Sequence, residues 1–81
     1  MPEYTLYIKP QCPYCVKVMN YMKQRNIELP LKNLNDSADI REELISIGGK
    51  GQVPCLVIDG VAMYESSDII KYLRNEYGNN S

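Results

Sequence analysis

Two cysteines separated by two residues, Cys12-Pro13-Tyr14-Cys15, stand where a β-rich run passes into a helical one, and that placement restricts the possible folds more than any other feature of the chain. The run before them, Glu3-Tyr4-Thr5-Leu6-Tyr7-Ile8, alternates roughly with period two and stops at Lys9-Pro10, which predicts a strand. After them Pro13 suits a first helical position, and Cys15, Val18, Met19 and Met22 recur at i, i+3, i+4 and i+7 until Gln24-Arg25-Asn26. An amphipathic helix starting at Cys12 follows. A strand feeding a helix across a Cys-X-X-Cys is the opening of a βαβ unit.

The remaining chain extends this pattern. Ile27 to Leu34 alternates loosely around Pro30, which has no N–H for a ladder, so an edge strand is expected. Asn35-Asp36-Ser37 offers capping side chains to a helix with Ile40, Leu44 and Ile47 on one face, ended by Gly48-Gly49. Val53 to Ile58 reads as an apolar strand, Asp59-Gly60 as a hairpin turn, and Val61 to Tyr64 as its return strand. Ser66-Ser67-Asp68 then caps a last helix carrying Ile69, Ile70, Leu73 and Tyr77 on one side, before the polar tail Gly78-Asn79-Asn80-Ser81. The order is β-α-β-α-β-β-α. A right-handed crossover makes the first two strands parallel and the hairpin antiparallel, giving an α/β domain with a four-stranded mixed sheet flanked by three helices. With 81 residues and no linker, residues 1–81 are expected to form one domain.

Composition narrows the chemistry. Nine Lys plus Arg against ten Asp plus Glu leave a net charge of -1, without the basic footprint of a nucleic-acid binder. No apolar run nears the roughly 18 residues of a membrane span, and the N-terminus lacks a signal-peptide core, so a cytoplasmic location is expected. The chain has no histidine, which removes every Ser-His or Cys-His pair and the commonest metal ligand. Three cysteines, Cys12, Cys15 and Cys55, do not make the even framework of a small secreted domain.

The chemistry therefore rests on thiols. A sulfur at a helix start lies among unpaired backbone N–H groups at the positive end of the helix dipole, which favours thiolate over thiol. Lys9 adds a cation nearby, and cysteines in such surroundings have pKa values of about 3.5–7.5. Cys12 is the expected nucleophile. Cys15, one turn inside, is the expected resolving thiol, able to close a disulfide with Cys12 after a mixed disulfide has formed. A zinc site built on the pair would need Cys55 and a carboxylate as further ligands and is disfavoured, so no metal is expected. Cys55, inside an apolar strand, reads as a buried structural cysteine rather than a third redox thiol.

With Cys-Pro-Tyr-Cys in this setting and Val53-Pro54 opening the third strand, the chain resembles a dithiol glutaredoxin of the thioredoxin-like fold, from Tyr4 to about Tyr77. The resemblance implies glutathione as co-substrate, a cis Pro54 against the active site and Val53 backbone pairing with the cysteinyl unit of glutathione. It implies that Lys9 meets the glycine carboxylate and that Tyr14 flanks the tripeptide. Lys50 stands where relatives have Gln or Arg on that carboxylate, or is a solvated loop charge. Gln52 replaces the family's usual Thr before Val-Pro. The segment Tyr64-Glu65-Ser66-Ser67-Asp68 departs from the glutaredoxin pattern and is similar instead to the glutathione-binding half of glutathione transferases. That similarity implies Ser66 and Ser67 N–H groups on the γ-glutamyl carboxylate, with Glu65 or Asp68 on its ammonium. Helix capping by Ser66, Ser67 and Asp68 is compatible with this. At this length no second helical domain accompanies the site, so conjugation is not expected.

The function implied is glutathione-dependent reduction of protein disulfides, with a ribonucleotide reductase among the candidate substrates, and of glutathione mixed disulfides, by a monomer that touches neither nucleic acid nor membrane. Two alternatives remain: an electron donor of glutaredoxin shape reduced by thioredoxin reductase, and an iron–sulfur carrier ligated by Cys12 and glutathione, which Pro13 disfavours.

Overall fold

A computed structural model describes residues 3–77, and the polar tail 78–81 lies outside the described residues. The elements run β1 (Tyr4–Ile8), α1 (Pro13–Gln24), β2 (Leu31–Asn33), α2 (Ala38–Gly48), β3 (Cys55–Ile58), β4 (Val61–Met63) and α3 (Ser66–Tyr77). The strands form one sheet in the order β2-β1-β3-β4. β1 and β2 are parallel, as a crossover through α1 requires, whereas β1–β3 and β3–β4 are antiparallel. This is the thioredoxin-like α/β fold that the order of elements implies.

Both faces of the sheet are covered, which is why Cys55-Leu56-Val57-Ile58 is apolar throughout instead of alternating. Leu6, Ile8 and Leu56 point to one side, where Cys15, Val18 and Met22 of α1 and Ile69 and Leu73 of α3 close over them. Tyr7, Cys55 and Val57 point to the other, against Leu44 of α2. On that second side Tyr7 Oη donates to the Glu43 carboxylate, which also takes Lys32 Nζ at 2.6 Å.

Local chemistry explains the element ends. Pro13 occupies the first turn of α1 behind Cys12, whose extended backbone (φ −82°, ψ 121°) makes it the N-cap. Ser37 Oγ accepts the Asp39 N–H at 3.1 Å to start α2, and Gly49 at φ 87° stops it. Asp59 and Gly60, at φ 50° and 85°, make the hairpin turn.

Four expectations need correction. The second strand is not Ile27–Leu34 but the three residues after Pro30, because Pro30 accepts the Leu6 N–H at 2.9 Å but has no N–H to donate, and Ile27 is drawn into the core instead. It does lie at the edge, next to β1. The third strand begins at Cys55, not Val53, since Val53-Pro54 is a cis pair that precedes the ladder. Ser66, Ser67 and Asp68 are the first turn of α3 and not its cap; the Glu65 carbonyl takes the Ile69 N–H at 2.9 Å, placing the cap one residue earlier. Tyr77 leaves the apolar side of α3: it is 42% exposed and packs at a tilt of 56° to Tyr4, with ring centroids 6.3 Å apart.

Candidate active site

The end of β1 delivers the cysteine pair. After Ile8 the chain turns through Lys9-Pro10-Gln11, with Cys12 N–H bonded to the Lys9 carbonyl at 3.1 Å and the Val16 N–H to the Cys12 carbonyl at 3.0 Å. Asn35 Nδ2 donates to Gln11 Oε1 at 2.8 Å and ties the turn to the start of the α2 segment. Cys12 is thus half-buried at the mouth of α1, whereas Cys15, one turn in, is fully buried. Both are free thiols.

Their surroundings push them apart. Burial raises the Cys12 pKa, but the N–H of Cys15, the Cys15 thiol, the Tyr14 N–H and the Lys9 ammonium more than reverse this, and it ends below the ordinary thiol value. Burial pushes Cys15 up to about 11; the Lys9 N–H at 3.4 Å from its sulfur opposes the rise, and hydrogen bonding and charge from Cys12 add to it. The outer sulfur is thus the more acidic of the two, and the inner one keeps its proton at neutral pH.

Beside Cys12 lies a groove of about 280 Å³ lined by Tyr14, Gln52, Val53, Pro54, Tyr64, Glu65 and Ser66. Three segments remote in sequence meet there: the first turn of α1, the loop before β3 and the start of α3. Cys12 Sγ stands 3.9 Å from the Val53 carbonyl, so the sulfur and the groove are continuous. Tyr14 is 63% exposed and forms an open wall. Val53-Pro54 is cis, as the resemblance implies, with Pro54 buried. At the far end the first-turn N–H groups of α3 have no partner within the helix, an anion-binding arrangement beside the Glu65 carboxylate.

Not every expected site residue reaches this groove. Tyr14, Gln52, Val53, Pro54, Glu65 and Ser66 line it; Lys9, Lys50, Ser67 and Asp68 do not. Lys9 is half-buried by the cysteine pair, Ser67 and Asp68 are exposed on the first turn of α3, and Lys50 Nζ lies over the Tyr64 ring, 5.0 Å from its centroid. Glu65 is therefore better placed than Asp68 for a ligand in the groove. Cys55 packs on the opposite face of the sheet from Cys15, beside Tyr7 and Leu44, which separates it from the pair. Tyr64, to which the sequence assigns only the end of the return strand and no ligand contact, also lines the groove; its position next to Glu65-Ser66 is the available signal.

Comparisons with known proteins agree with this architecture. Residues 6–81 match the family model described as glutathione S-transferase, N-terminal domain. An uncharacterized glutaredoxin-like 8.6 kDa protein of Clostridium pasteurianum is 38% identical over 55 residues, covering 68% of this chain and 73% of that one. Glutathione S-transferase D7 of Anopheles gambiae is 31% identical over 75 residues, 90% of this chain but 34% of the transferase. Among solved structures, a Bombyx mori glutathione transferase superposes with a TM-score of 0.78 at 26% identity, over 95% of this chain and 37% of that one. A thioredoxin-like protein superposes with a TM-score of 0.76 at 26% identity and is covered completely, as this chain is. The chain thus spans about a third of the length of the transferases it matches and most or all of the small redox-like relatives. On the extent of the family match, the fold and the relatives together, it belongs to the glutathione S-transferase N-terminal domain family of thioredoxin-like proteins.

Proposed function

We propose that this chain is a glutathione-dependent thiol–disulfide oxidoreductase of the dithiol glutaredoxin type, acting as a single cytoplasmic domain and a monomer. The observation that carries the reading is the opposite displacement of two thiols one helical turn apart, Cys12 lowered and Cys15 raised to about 11, beside a groove that ends at a helix N-terminus. The family and the glutaredoxin-like relative support glutathione as the co-substrate.

In the reaction the Cys12 thiolate attacks one sulfur of a substrate disulfide; the S–S bond breaks, the other sulfur leaves as thiolate and takes a proton from solvent. With a protein disulfide, Cys15 then loses its proton and attacks Cys12, releasing the second substrate thiol and leaving a Cys12–Cys15 disulfide. Two glutathione thiols reduce that disulfide and leave as glutathione disulfide. With a glutathione mixed disulfide, glutathione stays on Cys12 while the protein thiol departs, and a second glutathione resolves it. In this reading the Ser66 and Ser67 N–H groups receive the γ-glutamyl carboxylate, Glu65 its ammonium, Val53 the cysteinyl backbone, and Lys9 or Lys50 the glycine carboxylate. Tyr14, Gln52 and Pro54 shape the groove around the tripeptide.

The test is turnover of a glutathione mixed disulfide with glutathione, glutathione reductase and NADPH, beside the same reaction driven by thioredoxin reductase. Activity in the first system alone is expected; activity in the second alone would reject glutathione as the donor. Cys12→Ser should abolish turnover. Cys15→Ser should spare deglutathionylation and impair reduction of protein disulfides, and equal loss in both would refute the division of roles.

A further inference from the structure

Tyr64 follows β4 and precedes Glu65, and its phenol reaches across to the loop that connects α2 to β3. Tyr64 Oη donates to the Lys50 carbonyl at 2.8 Å and accepts the Lys50 N–H at 3.2 Å. Two hydrogen bonds to the N–H and C=O of one residue fix its orientation as well as its place. The Lys50 ammonium, 5.0 Å from the ring centroid, adds a third contact. The end of α2 is shaped to admit this phenol: a Cβ on Gly48 would lie 2.1 Å from Tyr64 Oη and 2.7 Å from Ala62 Cβ.

The loop so held runs directly into Gln52, Val53 and Pro54, while Tyr64 itself lines the groove beside Glu65 and Ser66. One side chain therefore ties that loop to the groove. These hydrogen bonds are exposed, so water replaces them at little cost in stability. Their effect is felt in geometry instead. Resting on the reading of the groove as a glutathione site, we propose that Tyr64 is a positioning residue: its hydroxyl sets the loop that presents the Val53 backbone to the bound tripeptide, and so determines affinity for the glutathionyl group without taking part in thiol exchange.

Tyr64→Phe tests this, because it keeps the ring and its cation contact and removes only the hydroxyl. With a glutathione mixed disulfide as substrate, KM should rise about fivefold while kcat changes less than about twofold. The pH profile of Cys12 alkylation should not move. Tyr21→Phe, which removes a phenol hydroxyl from α1 away from the groove, should leave both constants as they are. An unchanged KM for Tyr64→Phe, with or without a fall in melting temperature, or a fall in kcat at constant KM, would overturn the proposal. If the wild-type chain does not turn over the glutathione substrate, the glutathione reading has failed on its own. Amide hydrogen exchange across Lys50 to Val53 then decides: roughly tenfold faster exchange in Tyr64→Phe supports the positioning role, and equal exchange rejects it.

Discussion

Cys12 and Cys15 differ by one helical turn, and depth converts that turn into opposite shifts of acidity. Cys12 keeps enough contact with solvent for first-turn N–H groups and a cation to outweigh its desolvation, whereas Cys15 is sealed between α1 and the sheet. Lys9 acts on both in different ways: its backbone N–H reaches Cys15 Sγ, and its side-chain charge stabilises the Cys12 thiolate. Lys9→Gln retains the first contact and deletes the second. Losing a nearby cation destabilises thiolate relative to thiol, so the Cys12 pKa should rise. Its iodoacetamide alkylation at pH 7 should slow, with the midpoint of the rate–pH profile displaced upward. The displacement should shrink in high salt, which already screens a half-exposed ammonium. A profile that stays in place would show that the helix terminus and the Cys15 thiol hold the thiolate without Lys9.

At the scale of elements, the end of α2 shows two adjacent glycines meeting different demands. Gly49 stops the helix with a positive φ, while Gly48 serves close approach, since any side chain there collides with the Tyr64 phenol and with Ala62. Gly48→Ala should therefore destabilise the fold by about 1–3 kcal/mol despite the better helix propensity of alanine, and should loosen the Lys50 contact. Urea unfolding measures the first effect and hydrogen exchange at Lys50 the second; an alanine variant as stable as wild type would mean that Tyr64 moves aside freely. The Gly-Gly pair announced a helix stop because a stop is local chemistry, as were Pro13 at a helix start and Asp59-Gly60 at a turn. The approach of Tyr64, sixteen residues further along the chain than Gly48, was illegible, because it depends on α2 packing beside β4. For the same reason the groove residues were legible only where a motif carried them, as with Tyr14, Val53-Pro54 and Glu65-Ser66. Ser66-Ser67-Asp68 misled by one position, since a serine suits both the cap and the first turn.

The whole molecule is a sheet with a reactive side and an inert one. Alternation along β1 and β3 assigns Cys15 the company of Leu6, Ile8 and Leu56, and sends Cys55 to Tyr7, Val57 and Leu44 beneath α2. That Cys55 is buried was readable from its apolar neighbours; that a full sheet lies between it and the pair required the register of β1 on β3, in which Tyr7 stands opposite Cys55. The inert side carries a pH liability. Burial pushes the Cys55 thiol up to about 11, while in the unfolded chain it ionises near the usual value of about 8.5. Between these values the unfolded state has lost the proton and the folded state retains it, so stability falls as pH rises. From this thiol alone the loss from pH 8 to 11 is on the order of 2–3 kcal/mol, a substantial share for a small domain. Tyr4, raised to about 12 by its hydrogen bond to Tyr72, adds its own decline only above pH 10. Cys55→Ala should cost about 1–2 kcal/mol of packing at pH 7, yet lose less stability than wild type between pH 8 and 10. The two curves of unfolding free energy against pH should then converge. Parallel curves, read from urea midpoints at pH 7, 8.5 and 10, would assign the alkaline loss to Cys15 and leave Cys55 free of any part in it.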